Sequence, residues 1–290
     1  MKLPPWRVSS RELDVNERTF LMGVLNVTPD SFSDGGNFYD PDRAVKHGCD
    51  LAQQGADILD IGGESTRPGS QPVSEEEEIA RVGPVVRELK KILPDTLLSI
   101  DTSKASVAAM ALEAGADIIN DVTAGRGDPA MMATVASSAA GFALMHMQGT
   151  PRSMQADPSY SHVVRDVKEV LQERMNAAIR AGIQKDRLVL DPGIGFGKTL
   201  EHNLHLIAGL PQFHDLGVPL LLGVSRKRWI GDLTGRPVDQ RCAGSLAGAA
   251  ACLERGAHIL RVHDVSETRD LIQILDRIKR TEKGMGCNST

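Results

Sequence analysis

Aromatic residues make up only 3% of the 290-residue sequence, so its core must be built from Leu, Ile, Val, Ala and Met rather than stacked rings. Four cysteines, Cys49, Cys242, Cys252 and Cys287, form no CxxC and lie far apart, which argues against a disulfide framework and points to reduced thiols. A basic excess is missing too. The net charge of -5 argues against nucleic acid as the main partner, while leaving local anion binding open. No apolar run reaches the roughly 18 residues of a membrane span, and the opening MKLPPWRVSS has no apolar signal core. We therefore expect no membrane partner and a soluble, cytoplasmic protein. The histidines show no zinc spacing, and His202 and His205 read as surface residues of a helix.

Two nucleotide motifs are also absent, each by one residue. In DPGIGFGKT a phosphate-cradling Walker loop needs Gly five positions before Gly197, where Pro192 stands. A dinucleotide fingerprint starting from Gly193 and Gly195 needs Gly where Lys198 stands. These glycines instead suggest a tight turn or a close approach of backbone to a ligand.

What the sequence does have is a disguised repeat. GADILDIGG (55–63), GADIINDV (115–122) and GAHILRVHD (256–264) share a plan of Gly, a small residue, and an apolar strand ending in polar groups. Similar runs occur at LLSIDTS (97–103), FALMHMQ (142–148), RLVLDPG (187–193) and PLLLGVSRK (219–227), and LMGVLN opens the series at 21. Runs that are apolar throughout, rather than alternating, are expected of parallel strands buried on both faces. Helical signals fall between them: Asp40-Pro41 and Asp128-Pro129 as starts, Ser74 with Glu77 as a capping box, and Gly55, Gly115, Gly182 and Gly256 as stops. The run EEEE at 75–78 reads as a solvated first turn favoured by the helix dipole, and Pro84 predicts a kink.

Eight strand-helix units in about 250 residues fit a single-domain α/β fold, a (β/α)8 TIM barrel, better than an open doubly wound sheet. The expected layout is an N-terminal segment over 1–19 covering the barrel floor, the barrel over 20–280, and a flexible tail over 281–290. In such barrels the active site forms at the carboxyl ends of the strands. Read in order, those ends supply Asn26, Glu64 to Arg67, Asp101, Asn120 with Asp121, His146, Asp191, Ser225 to Lys227, and Arg261 with His263.

Asp101, Asn120 and Asp191 would accept hydrogen bonds from a flat heterocycle carrying several N–H donors, although short polar residues after strands also cap helices. Arg261 and His263, two apart on the last strand, share a face and with Arg67 suggest an oxyanion or pyrophosphate seat. The plainer alternative pairs Arg261 with Asp264 or Asp60. Asn26 suits either a turn before Pro29 or an oxygen ligand to Mg²⁺.

LNVTPDSFSDGG, GGESTRPG, SIDTS, IIND, MHMQG, DPGIGFGK, GVSRK and RVHDV, in this order, resemble the dihydropteroate synthases over all eight strand ends from about 20 to 265. The resemblance implies condensation of 6-hydroxymethyl-7,8-dihydropterin pyrophosphate with p-aminobenzoate, by a dissociative displacement, in folate synthesis. It implies a pterin site at Asp101, Asn120, Asp191 and Lys227, with Met145 and Phe196 around the ring. It implies a pyrophosphate site at Asn26, Arg67, Arg261 and His263, with Mg²⁺ as cofactor at Asn26. It puts p-aminobenzoate near Phe32, Thr66, Pro68 and Ser225, on two mobile loops, and implies a homodimer. On this reading the catalytic residues are Asp101, Lys227, Arg261 and His263, and pterin and pyrophosphate occupy separate subsites. The alternatives are a folate-dependent methyltransferase barrel acting with a corrinoid and a non-catalytic pterin-binding barrel.

Overall fold

A computed structural model describes residues 2–28, 40–65, 70–150 and 153–287, the last five of these by backbone alone. The eight apolar runs are the eight strands of one parallel sheet: β3 (Phe20–Asn26), β4 (Ile58–Gly62), β5 (Leu97–Asp101), β6 (Ile118–Asp121), β7 (Gly141–Met145), β8 (Leu188–Asp191), β9 (Leu221–Gly223) and β10 (Ile259–Val262). They pair in the order β8-β7-β6-β5-β4-β3-β10-β9, and a parallel bridge between Leu190 and Leu220 closes the ring. This is a TIM barrel, with helices between successive strands.

The side-chain alternation explains why the strands look apolar throughout. Leu21, Leu25, Leu59, Ile61, Leu98 and Ile100 point outward and pack under the surrounding helices. The inward set changes character with height. At the amino end of the strands, Met22, Ile58, Leu97, Ile118, Val189, Leu221 and Ile259 form an apolar floor. One step higher the register sets Asp60 beside Ser99, and above that Asp101 beside Asn120 and Met145 beside Asp191. The polar residues of the strands are therefore gathered in the upper half of the barrel.

The N-terminal segment packs against the floor. A hairpin of β1 (Trp6–Val8) and β2 (Arg11–Leu13) brings Trp6, Val8 and Leu3 against the apolar layer. Trp6 is fully buried, its indole N–H donates to the Arg187 carbonyl at 3.0 Å, and its ring occupies the space that Gly141 leaves open.

Most of the helix signals hold, but Asp128-Pro129 does not start a helix: the next one is Met131–Ala136, with Ala130 at its N-cap and no side-chain cap bond. Asp40 caps the helix Pro41–Gln53 by accepting from the Asp42 and Arg43 amides, and the expected stops at Gly55, Gly115, Gly182 and Gly256 all have positive φ. Ser74 caps Glu75–Ile92 by accepting from the Glu77 amide, but the Glu77 carboxylate bonds Arg81, one turn on, so only half the capping box forms. Of the run 75–78, three residues are exposed as predicted, whereas Glu78 is buried and pairs with Lys104. The helix continues through Pro84. At the other end, the helix Val265–Cys287 extends well into the stretch expected to be a tail.

Trp6→Ala would empty a large, hydrogen-bonded site under the barrel. It should lower unfolding free energy by about 3–5 kcal/mol, measured by urea denaturation, while folded protein retains its ligand affinity. An unchanged midpoint would show that the hairpin does not support the floor.

Candidate active site

The strand ends do converge, and their organising group is one that lies below them. Asp60 sits mid-strand on β4 with no solvent exposure. It accepts from the Ser99 hydroxyl at 2.6 Å, the Asn120 amide nitrogen at 3.1 Å and Arg261 Nε at 2.6 Å. A carboxylate only accepts, so Asn120 must turn its NH₂ inward to Asp60, leaving its carbonyl oxygen as the group available to a ligand. Arg261 Nη2 donates to Asp101 at 2.7 Å. Of the two ion-pair alternatives for Arg261, the structure thus realises Asp60, adds Asp101, and gives Asp264 to Arg226 instead.

That arrangement sets the charges. Burial pushes the Asp101 carboxyl up to about 7 even though the Arg261 guanidinium pulls the other way. Burial lowers Arg261, but Asp60 and Asp101 more than offset it, and the guanidinium stays charged. Asp191 is likewise raised by burial, to about 6, while its Oδ1 accepts the Gly193 amide at 2.7 Å. Asp191 therefore braces the turn that follows β8 but does not cap the next helix, whose N-cap is Thr199. Asp121, by contrast, is a turn residue, accepting from Thr123 and Gly125.

Lys227 reaches the same mouth from the loop after β9. Its ammonium lies 4.0 Å from the centre of the Phe196 ring, and burial lowers its pKa to about 8. Phe196 packs against Met145, Met147, Met154 and Val122, making an apolar wall suited to a flat ring. His263 accepts or donates at Nδ1 with Ser225 Oγ at 3.2 Å, and its backbone amide donates to the same oxygen at 3.2 Å. Burial, and then Arg261, hold His263 down to about 4, so it acts as neutral imidazole near pH 7. Asn26 is half-buried at the end of β3, in register with Gly62, which neighbours Asp101. Phe32, Thr66, Arg67 and Pro68 lie outside the described residues. On the described flanks of the second of these loops, Glu64 and Glu78 share Lys104, Glu64 accepts the Val73 amide at 3.3 Å, and Arg81 donates to the Gly63 carbonyl at 2.7 Å.

The glycines of DPGIGFGK make a tight turn. A Cβ at Gly193, whose φ is +69, would lie 1.9 Å from the His146 carbonyl oxygen. The turn carries Lys198 into the interior, where its ammonium bonds His146 Nδ1 at 3.1 Å and the Phe196 carbonyl at 2.9 Å. Burial lowers Lys198 to about 7 and holds His146 far below its ordinary range. Sequence reasoning missed Asp60 and Lys198 as site residues. The signal for Asp60 was there: a lone carboxylate on the inward face of an apolar strand. Lys198 was weighed only as a misfit to a nucleotide motif.

Residues 22–263 match the family model described as pterin binding enzyme. A dihydropteroate synthase of Haemophilus influenzae is 47% identical over 254 residues, covering 88% of this chain and 92% of that one. Among solved structures, a Xanthomonas albilineans dihydropteroate synthase with 4-aminobenzoic acid superposes with a TM-score of 0.88 at 47% identity, covering 95% of this chain and 98% of that one. The same organism's enzyme in complex with 7,8-dihydropteroate gives 0.84 at 46% identity, covering 93% and 97%. The fold and the mouth of acceptors define a pterin-binding barrel of the enzyme class. Within that class the chain belongs to the dihydropteroate synthase family, and its relatives favour neither the corrinoid methyltransferase nor the non-catalytic alternative.

Because Arg261 neutralises two buried carboxylates, Arg261→Ala should not separate pterin from pyrophosphate, as two independent subsites would require. It should cost about 3–5 kcal/mol of folding stability and weaken both ligands together, by calorimetry. Loss confined to pyrophosphate, with stability intact, would restore the two-subsite picture.

Proposed function

We propose that the chain condenses 6-hydroxymethyl-7,8-dihydropterin pyrophosphate with p-aminobenzoate, giving 7,8-dihydropteroate and pyrophosphate. The observation that carries this is the convergence of Asp101, Asn120, Asp191 and Lys227 on one mouth beside the Phe196–Met145 wall. The carboxylates and the Asn120 oxygen take the ring donors, and Lys227 meets a ring acceptor or the second substrate. The bond between the methylene carbon and the pyrophosphate oxygen breaks, and a carbon–nitrogen bond to the aniline forms. Carboxylate charge at Asp101 favours the cation that develops on the pterin when the leaving group departs first. An aniline nitrogen is unprotonated near pH 7, so it attacks unaided and loses its proton to water, and no nucleophilic side chain is needed.

Among the described residues no group of three or more His, Cys, Asp or Glu could hold a metal ion. Mg²⁺ prefers oxygen and keeps several waters, so the Asn26 amide oxygen fits it as a single protein ligand beside substrate phosphates. When bound, it would neutralise charge on the departing pyrophosphate. His263 and Ser225 would contact the anionic or p-aminobenzoate end, and Phe32, Thr66, Arg67 and Pro68 are assigned there by resemblance.

We also propose a homodimer. The helix Cys242–Glu254 is almost wholly apolar and presents Ala243 and Ala247 outward, while Ile274 and Ile278 are exposed on the helix Val265–Cys287. A second copy of the chain would cover these residues. We also propose a cytoplasmic location, in keeping with the resemblance to the dihydropteroate synthases; among the described residues no helix is long and apolar enough to cross a membrane.

Formation of 7,8-dihydropteroate together with pyrophosphate, when both substrates and Mg²⁺ are supplied, is the direct test, and pyrophosphate release with no 7,8-dihydropteroate formed in the presence of p-aminobenzoate would remove the synthase reading. The charge states set the pH profile. Asp101 and Asp191 lose their acceptor charge as pH falls through about 7 and about 6, and Lys227 loses its proton as pH rises through about 8. The value of kcat/KM should therefore peak between about 7 and 8 and fall on both sides. A profile level from about 6 to 9 would show that these groups do not govern substrate capture.

A further inference from the structure

We propose that the Arg226–Asp264 ion pair, acting on a left-handed backbone at Arg226, is the device that aims the Lys227 ammonium into the barrel mouth. The inference rests on the reading of Lys227 as a substrate contact and adds a positioning residue to it.

Arg226 has φ of +55, a conformation that a bulky side chain rarely adopts. Such a residue persists only where its surroundings hold it. Here every handle of Arg226 is held. Its amide donates to Ser245 Oγ at 2.9 Å. Its carbonyl accepts from Arg241 Nη1 at 3.3 Å. Its guanidinium donates through Nε to Asp264 Oδ2 at 3.1 Å and through Nη2 to Oδ1. Arg241 also donates to the Lys227 carbonyl at 3.3 Å, and its own carbonyl accepts from Ser245 Oγ at 2.7 Å.

The ion pair joins two loops that both serve the site. Asp264 directly follows His263 after β10, and Arg226 lies between Ser225 and Lys227 after β9. On one side of Arg226, Ser225 Oγ is bonded to His263; on the other, Lys227 turns in over Phe196. A Cβ at Gly195 would lie 3.0 Å from Lys227 Cδ, so the lysine stem runs tightly along the DPGIGFGK turn. Were Arg226 to relax to an ordinary right-handed or extended φ, the chain direction at Lys227 would change and that path would be lost. The backbone contacts with Ser245 and Arg241 define the geometry, and the ion pair supplies the charge-assisted link that keeps the side chain from pulling out of it.

The test compares steady-state rates of pyrophosphate release by the full chain with both substrates and Mg²⁺. Asp264→Asn keeps the volume and removes the charge. It should lower kcat by about 10- to 100-fold, the range for a slightly misplaced catalytic group, with a smaller change in KM and little change in melting temperature. Arg226→Ala should fall similarly. Arg226→Gly should be about tenfold more active than Arg226→Ala, because glycine takes positive φ without help. Adding Arg226→Gly to Asp264→Asn should recover activity, a rescue by deletion that a simple loss of packing does not produce. Equal rates for Arg226→Ala and Arg226→Gly, or wild-type kcat in Asp264→Asn, would overturn the proposal. The Ala–Gly comparison decides it even if Asp264→Asn fails to fold. No pyrophosphate release by the wild-type chain would instead count against the functional reading itself.

Discussion

The site depends on how one guanidinium satisfies two carboxylates inside a barrel. Asp60 and Asp101 stand one layer apart on neighbouring strands, both drawn from water, and Arg261 reaches between them from the last strand. Burying charge is expensive unless it is paired and its lone pairs are met. Asp60 meets this condition completely, since Ser99, Asn120 and Arg261 supply its donors. Such an arrangement is weak as a source of stability compared with an apolar core, but strong as a way of fixing orientation. It determines which end of the Asn120 amide faces a ligand and which edge of Arg261 is already spent.

The barrel makes this affordable by dividing its interior in two. Below, Trp6 and the inward apolar residues form a packed floor; above, the polar residues have one another and the mouth. A charge cluster in the floor layer would have had no comparable partners. The N-terminal hairpin is therefore part of the reason the site can exist, although it contributes no residue to it.

Much of this was legible in the sequence because strands buried on both faces and strand-end chemistry leave patterns in short stretches. All eight strands and the Asp40 cap were visible locally, and so was the convergence of Asp101, Asn120 and Asp191 once the fold was a barrel. What was not legible depends on contacts distant in sequence. Arg261 and Asp60 are 201 residues apart, and spacing alone left Asp60 and Asp264 equal as partners. Glu78 looked solvated because its three neighbours are, yet the helix turns it toward Lys104. Left-handed backbone at Arg226 has no sequence signature, since nothing about an arginine announces it. The half-formed capping box fails for the same kind of reason: Arg81 competes for Glu77 one turn later.

The charge pattern of the finished pocket also bears on the leaving group. Asp60, Asp101 and Asp191 face Arg261, Lys198 and Lys227, so the described mouth is close to electrically balanced before anything binds. Arg261 is committed to carboxylates, Lys198 is turned toward His146 and the Phe196 carbonyl, and His263 is neutral near pH 7. Such a pocket suits a neutral heterocycle whose ring carries donors. A pyrophosphate brings several negative charges that this balance does not offset, and the full worth of a new ion pair is available only from a cation not already paired. Under the proposed function, extra positive charge must therefore accompany the pyrophosphate. That is the electrostatic reason for assigning Mg²⁺ at Asn26 and for giving Arg67 a place at the anion. It also makes the two ends of the substrate depend on different supplies of charge: the pterin end on the buried cluster, and the phosphate end on charge from outside that cluster.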